Sequence, residues 1–186
     1  DNYYKDVCVL AYRMPQDTIA RMEEASVKMT ASSWYRDFAP DRTTDLDDSS
    51  RWISNGDQPG MGPTEAKPEF LQFSFSGPFA AAGIYVNPYS ECGPRDCQVQ
   101  ASQDGTTFQT ICRFTVEEQK PATIAFDEVS ANSFRLLIAS SYPYRGKENR
   151  NVQVCEVQLL AKGEAPQKSI PNGLDVRSAV NLTKRM

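Results

Sequence analysis

After residue 70 the chain is a succession of short apolar–polar alternations, each closed by Gly, Pro, Asn or Asp, and this texture constrains its fold more than any other feature. Phe70-Leu71-Gln72-Phe73-Ser74-Phe75 alternates until Ser76-Gly77-Pro78, which has the composition of a turn. Residues 80–86 form an apolar run that stops at Asn87-Pro88. Gln98-Val99-Gln100-Ala101-Ser102 runs into Asp104-Gly105, a tight-turn dipeptide, before a further strand at 108–114. Strands are also expected at 122–126, 133–138 and 152–160, with a long loop over 140–150. An initial strand is expected at 3–12, where β-branched and aromatic residues cluster ahead of Met14-Pro15. Ile19, Met22, Ala25 and Met29 lie near helical spacing and predict one short helix after Pro15. Six or seven short strands with one helix predict an all-β fold, a β-sandwich in which antiparallel strands keep one face polar.

Composition narrows the chemistry. The 186 residues contain no histidine, which excludes imidazole as a base or metal ligand within this segment. The net charge of −4 lacks the basic footprint that nucleic acids require. No stretch approaches the roughly 18 apolar residues of a membrane-spanning helix. The 24 acidic residues supply many carboxylates, but Glu23-Glu24, Asp47-Asp48 and Glu117-Glu118 read as solvated surface charge, and no catalytic residue is assigned. The cysteines, Cys8, Cys92, Cys97, Cys112 and Cys155, lack zinc-site spacing. Cys92 and Cys97 bracket a turn-forming insert, so they are either a small disulfide loop or, like the other three, small core residues.

Asp45-Leu46-Asp47-Asp48-Ser49-Ser50-Arg51-Trp52, the strand at 70–75, Val99-Gln100-Ala101-Ser102-Gln103-Asp104-Gly105-Thr106-Thr107-Phe108, and Phe134-Arg135-Leu136 with Val154-Cys155-Glu156-Val157-Gln158-Leu159 follow one another in order. Together they resemble the discoidin-like, galactose-binding-like family, also called the coagulation factor type C fold. The resemblance covers residues 41–162 and implies a jelly-roll β-sandwich. Residues 1–40 are then a lead-in of strand and helix. Residues 163–186 are a linker, with Gly163-Glu164-Ala165-Pro166 and Ile170-Pro171-Asn172-Gly173, and the start of a following segment. The flanks Tyr4-Lys5-Asp6-Val7-Cys8-Val9-Leu10-Ala11-Tyr12-Arg13-Met14-Pro15 and Ser178-Ala179-Val180-Asn181-Leu182-Thr183-Lys184-Arg185-Met186 are similar to stretches of the large α-L-rhamnosidase-like glycoside hydrolases of family 106, with Asn181 where those have Asp.

The resemblance implies a structural Ca2+ site. Asp45, Asp47 and Ser50 on the acidic loop, with Glu156 from the closing strand, offer the hard oxygen donors that Ca2+ takes. Leu46 stands where the family has Gly, and a side chain there opposes the backbone turn that aims carbonyls at an ion. Without an ion, Asp45 and Asp47 would cap turns and Glu156 would pair with Arg51. Carbohydrate binding in jelly rolls comes from loops at one end, where flat rings stack on sugars and Arg or Asn reaches hydroxyls. Tyr142, Tyr144 and Arg145, near Asn149 and Arg150, and Tyr89 with Arg95 have that composition, with Trp34 and Tyr35 as a third segment. The alternative is that these tyrosines cover the sandwich edge.

The implied function is a non-catalytic carbohydrate-binding or scaffolding accessory domain of a secreted, periplasmic or cell-surface bacterial glycoside hydrolase. Its partners would be a plant or bacterial glycan and the parent's catalytic domain. The alternative is a stand-alone cell-surface adhesion or protein-interaction module of the same fold.

Overall fold

Alternation of apolar and polar residues becomes alternation of buried and exposed faces, and it sets every long strand in this protein. The computed structural model describes residues 18–167. The strand expected at 3–12 and the rhamnosidase-like flanks lie outside the described residues. In chain order the described elements are α1 (Thr18–Glu24), β1 (Lys28–Ala31), a single-turn 3-10 helix (Pro40–Thr43), β2 (Trp52–Ile53), β3 (Glu69–Pro88), β4 (Asp96–Ser102), β5 (Gln109–Thr115), β6 (Ala122–Ile138) and β7 (Gln153–Leu160). All strand pairs are antiparallel.

Two strands are far longer than the sequence predicts. Residues 70–75 and 80–86 belong to one strand, β3, and 122–126 and 133–138 to another, β6. A straight strand of 20 residues would run about 66 Å, too long for a sandwich of this size. Register shifts between Ser74 and Phe79 and between Ala81 and Gly83 bend the pair instead. Residues 69–74 of β3 pair with β1 and with 133–138 of β6, whereas 83–88 pair with β7 and with 122–125 of β6. One layer is therefore β5-β4-β6-β3-β1 and the other β6-β3-β7-β2, joined through the bent strands. Pro78 sits inside the irregularity, where no ladder bond requires its missing N–H. Phe75 and Phe79 stack across the bend at 4.1 Å.

The core lies between the layers. Leu71, Phe73, Val99, Phe134, Leu136 and Ile138 come from one, and Trp52, Ile84, Val86, Val154, Val157 and Leu159 from the other, all fully buried or nearly so. Among the described residues the fold is the all-β antiparallel sandwich with one short α-helix that the sequence predicts.

The helix is shorter than its apolar spacing implies, and Met29 lies in β1 rather than on α1. Ser26 adopts φ 54°, and its N–H reaches the Glu23 carbonyl while the Val27 N–H reaches that of Met22. This is a Schellman stop, closed by the apolar side chains of Val27 and Met22. Arg21 fastens α1 to the sandwich, donating to the carbonyls of Ala80 and Leu159 and pairing with Glu164. Cys92 and Cys97 are buried free thiols, not a disulfide, so the insert between them is not a covalent loop.

Candidate functional site

The bend in β3 carries both of its ends to the same end of the sandwich. There Ser32 N donates to Phe70 O, Tyr35 N to Ile53 O and Tyr89 N to Gln153 O. Loops that are distant in sequence thus meet around a cleft of about 310 Å3 lined by Tyr35, Phe38, Arg51, Tyr89, Tyr144, Arg150 and neighbouring polar side chains. That volume lies at the lower end of the range for small-ligand sites.

Each wall is fixed from below. The Trp52 indole is fully buried and donates from Nε1 to Ser33 O at 2.9 Å, which pins the loop carrying Tyr35 and Phe38. Ser32 and Ser33 donate their hydroxyls to the buried Glu69 carboxylate. On the opposite side, Asn151 Nδ2 donates to Gly56 O and Ser141 Oγ to Asn151 O, each at 2.9 Å. Arg145 and Gly146 both have positive φ, 49° and 72°, and Lys147 N closes on Tyr144 O at 2.9 Å. This pattern of a tight hairpin turn places Tyr144 at the rim.

Inside the cleft, guanidinium groups lie on aromatic rings. Arg51 Cζ is 3.9 Å from the Tyr89 centroid and 5.2 Å from that of Phe38, and its Nε donates to Gln153 Oε1 at 3.1 Å. Arg150 Cζ is 4.0 Å from the Tyr144 centroid. Such contacts are worth about 0.5–2 kcal/mol and immobilise both partners. Asn151 Oδ1 in turn accepts from Gln153 Nε2. The cleft therefore gathers aromatic rings, with one face of Tyr89 and of Tyr144 covered by a guanidinium, beside amide groups, a combination that suits a hydroxyl-bearing ligand with an apolar face.

Of the residues predicted to bind carbohydrate, the structure brings Tyr89 and Tyr144 into this cleft. Arg145 stands at its rim, paired with Glu91 at 3.0 Å. Tyr142 and Arg95 are elsewhere. The Tyr142 hydroxyl donates to Val116 O, and Arg95 lies 5.9 Å from the Tyr142 ring, so these two side chains brace the loop against the sheet. Trp34 is half exposed beside Tyr35. Sequence reasoning left out Phe38, Arg51, Asn151 and Gln153 as binders. The signal for Arg51 and Gln153 was the pairing of β2 with β7, which joins segments about a hundred residues apart.

None of the predicted cation-binding residues lines the cleft. Asp45 accepts from Asp47 N at 3.0 Å and from Ser50 Oγ at 2.5 Å, and Asp47 accepts from the backbone and hydroxyl of Ser49. Leu46 takes φ 60°, so the turn that its side chain was expected to oppose is made, with that side chain packed on the core. Its N–H donates to Glu156 Oε2 at 3.2 Å. Glu156 is nearly inaccessible and has no ion pair among the described residues; Arg51 points to Gln153 instead. Between Glu156, opposite Asn87, and Val154, opposite Pro88, β7 carries Cys155 as an extra residue, which re-aims the strand. Burial, reinforced by the negative fields of Asp45 and Asp48, pushes the Glu156 carboxyl up to about 8 against the hydrogen bonds from Gln158 and Leu46. Among the described residues no three acidic or thiol side chains converge as a metal cluster, so a cation here would need backbone carbonyls as well.

Comparisons with known proteins place the fold. No family model matches the chain, and no curated protein matches it. Solved structures do. The module CpGH89CBM32-5 from Clostridium perfringens, solved with GalNAc-β-1,3-galactose, is similar with a TM-score of 0.60 and 14% identity, covering 75% of this chain and 99% of its own. The family 32 carbohydrate-binding module of C. perfringens NanJ, solved with galactose, has a TM-score of 0.60 and 14% identity over 75% of this chain and 95% of its own. A chitosan-binding module from a Paenibacillus sp. IK-5 chitosanase/glucanase has a TM-score of 0.59 and 17% identity over 72% and 94%. At these identities the likeness is one of fold, that of the galactose-binding-like carbohydrate-binding modules.

Proposed function

We propose that this chain is a non-catalytic carbohydrate-binding module, serving a larger secreted or cell-surface bacterial glycoside hydrolase. The observation that carries this reading is the loop-end cleft, in which the aromatic rings Tyr35, Phe38, Tyr89 and Tyr144 stand beside Arg51, Arg150, Asn151 and Gln153. Rings stack on the apolar face of a sugar, while amide and guanidinium groups reach its hydroxyls. The named ligands of the structural neighbours, GalNAc-β-1,3-galactose, galactose and chitosan, support the class of ligand. The rhamnosidase-like parent of family 106 rests on the flanks at 4–15 and 178–186.

Ca2+ belongs to the same proposal. Asp45, Ser50 and Glu156, with carbonyls of the 42–50 loop and Asp47 beside them, are hard oxygen donors. The buried Glu156 carboxyl, paired with no basic side chain among the described residues, is the observation they fit. Bound there, the ion would neutralise that carboxylate and pin the loop leading to Arg51 and Trp52.

Affinity electrophoresis of the purified chain through gels holding plant and bacterial polysaccharides tests the binding function. Retardation by at least one polysaccharide is expected, with retardation lost in the Tyr89→Ala/Tyr144→Ala variant. Free migration through every gel would refute the reading.

A further inference from the structure

The chain as a whole carries a net charge of −4, yet its cleft gathers cations. Arg51 and Arg150 line it and Arg145 stands at its rim. Of the two carboxylates in the lining, Glu91 is taken by Arg145, and Asp57 makes no ion pair among the described residues. Neither Arg51 nor Arg150 is paired with a carboxylate among the described residues. Both are held flat, Arg51 on Tyr89 and Arg150 on Tyr144, at 3.9 and 4.0 Å. The Arg150 Nε is buried without a hydrogen-bond partner among the described residues. Among the described residues Arg51 hydrogen-bonds through its Nε alone, to Gln153.

A partly desolvated guanidinium without an anion is costly, and the group that best satisfies its planar fork is a carboxylate, which accepts two parallel N–H bonds. A neutral sugar would leave both forks short of charge. We infer that the cleft selects a sugar unit bearing a carboxylate, a uronic acid of an acidic polysaccharide, whose carboxylate is held by Arg51 and Arg150 while its ring packs among the tyrosines. This inference rests on the carbohydrate-binding reading and names its ligand class.

The test is isothermal titration at low salt with galacturonate, mannuronate and glucuronate oligomers, each beside its carboxyl-reduced counterpart of the same linkage, and with neutral galactan. At least one acidic oligomer should bind tenfold or more tightly than its reduced form, and the preference should shrink as salt rises. Arg150→Gln and Arg51→Gln should lose about tenfold on that acidic oligomer, equivalent to about 1.4 kcal/mol, and lose less on the reduced one. Arg150→Lys, which keeps the charge without the fork, should fall between. Equal affinity for acidic and reduced forms, binding of galactan alone, or unchanged acidic binding by the arginine variants would overturn this inference and leave carbohydrate binding standing. Binding of no oligomer or galactan would overturn this inference, and carbohydrate binding itself would fall only with free migration through every polysaccharide gel.

Discussion

Gly56 is where the integrity of the cleft can be tested with a single methyl group. Its φ is 145°, a region essentially reserved for glycine, and a Cβ built there lies 2.1 Å from the Arg150 carbonyl oxygen and 3.2 Å from Met61 Cβ. In Gly56→Ala the first separation must open to at least 3.0 Å, and the obstacle is backbone, which cannot swing aside as a side chain can. Backbone strain at such φ costs about 1–3 kcal/mol. Weakening the neighbouring Asn151 bond to Gly56 O costs about 1 kcal/mol more. The variant should therefore be less stable by about 2–4 kcal/mol, a fall in Tm of about 5–15 °C for a chain of this length. Moving Arg150 also shifts its guanidinium on Tyr144, so affinity for the cleft's ligand should drop about tenfold or more. Thermal unfolding and calorimetric titration read the two effects. Gly77→Ala is the control, since a Cβ there meets nothing within 4 Å, and its Tm should stay within about 2 °C of the parent. A Gly56→Ala protein matching the parent in both assays would refute the geometry assigned to the cleft.

Millimolar Ca2+ should raise the Tm of the parent protein above its value in EDTA, by the equivalent of about 2.7 kcal/mol at a hundredfold excess over Kd. Glu156→Gln should be at least as stable as the parent in EDTA, because the amide removes the cost of burying an ionisable carboxyl beside Asp45 and Asp48, and should not respond to Ca2+; a parent Tm indifferent to Ca2+ would rule the ion out. The Asp104 carboxyl is held well below the usual carboxylate range by the N–H groups of Thr107 and Thr106 and the hydroxyl of Ser102. A depressed folded-state value means that its contribution is complete above the unfolded value near about 4 and is lost as pH falls below it, so Asp104→Asn should flatten the acid side of a Tm-against-pH curve. Burial raises the Cys97 thiol and pushes that of Cys155 up to about 11, so both should resist a disulfide reagent at pH 8 until the protein unfolds, and half-buried Cys112 should react sooner. Alkylation of Cys92 and Cys97 in denaturant without prior reduction should go to completion; their recovery as a crosslinked peptide would contradict the free thiols.

The sandwich was legible because burial on one face enforces alternation, and 98–102 or 153–160 can hardly be read as anything but strands. The continuity of β3 was not, since Ser76-Gly77-Pro78 has turn composition and only the packing of Phe75 on Phe79 shows that the chain bends without leaving the sheet. Met29 carries the helical period, but the left-handed Ser26 that ends α1 is a local choice that periodicity does not see. In the cleft, Tyr89 and Tyr144 could be found as loop aromatics, and composition put Tyr142 and Arg95 on the same footing. What separates them is the Tyr142 hydroxyl's bond to Val116 O, a contact across 26 positions of sequence. Without an ion, the sequence offers Arg51 as a partner for Glu156, yet Arg51 turns to Tyr89 and Gln153, and among the described residues no basic side chain pairs with the glutamate.

Whether the loop-end cleft binds carbohydrate is read by amide chemical-shift mapping during titration with oligosaccharides, acidic and neutral, of the polysaccharides tried in the gels. Saturable shifts should concentrate at Tyr35, Arg51, Tyr89, Tyr144, Arg150 and Gln153, with little change at the Asp104 hairpin or along β5. Shifts confined to those distant segments, or none at millimolar ligand, would contradict it.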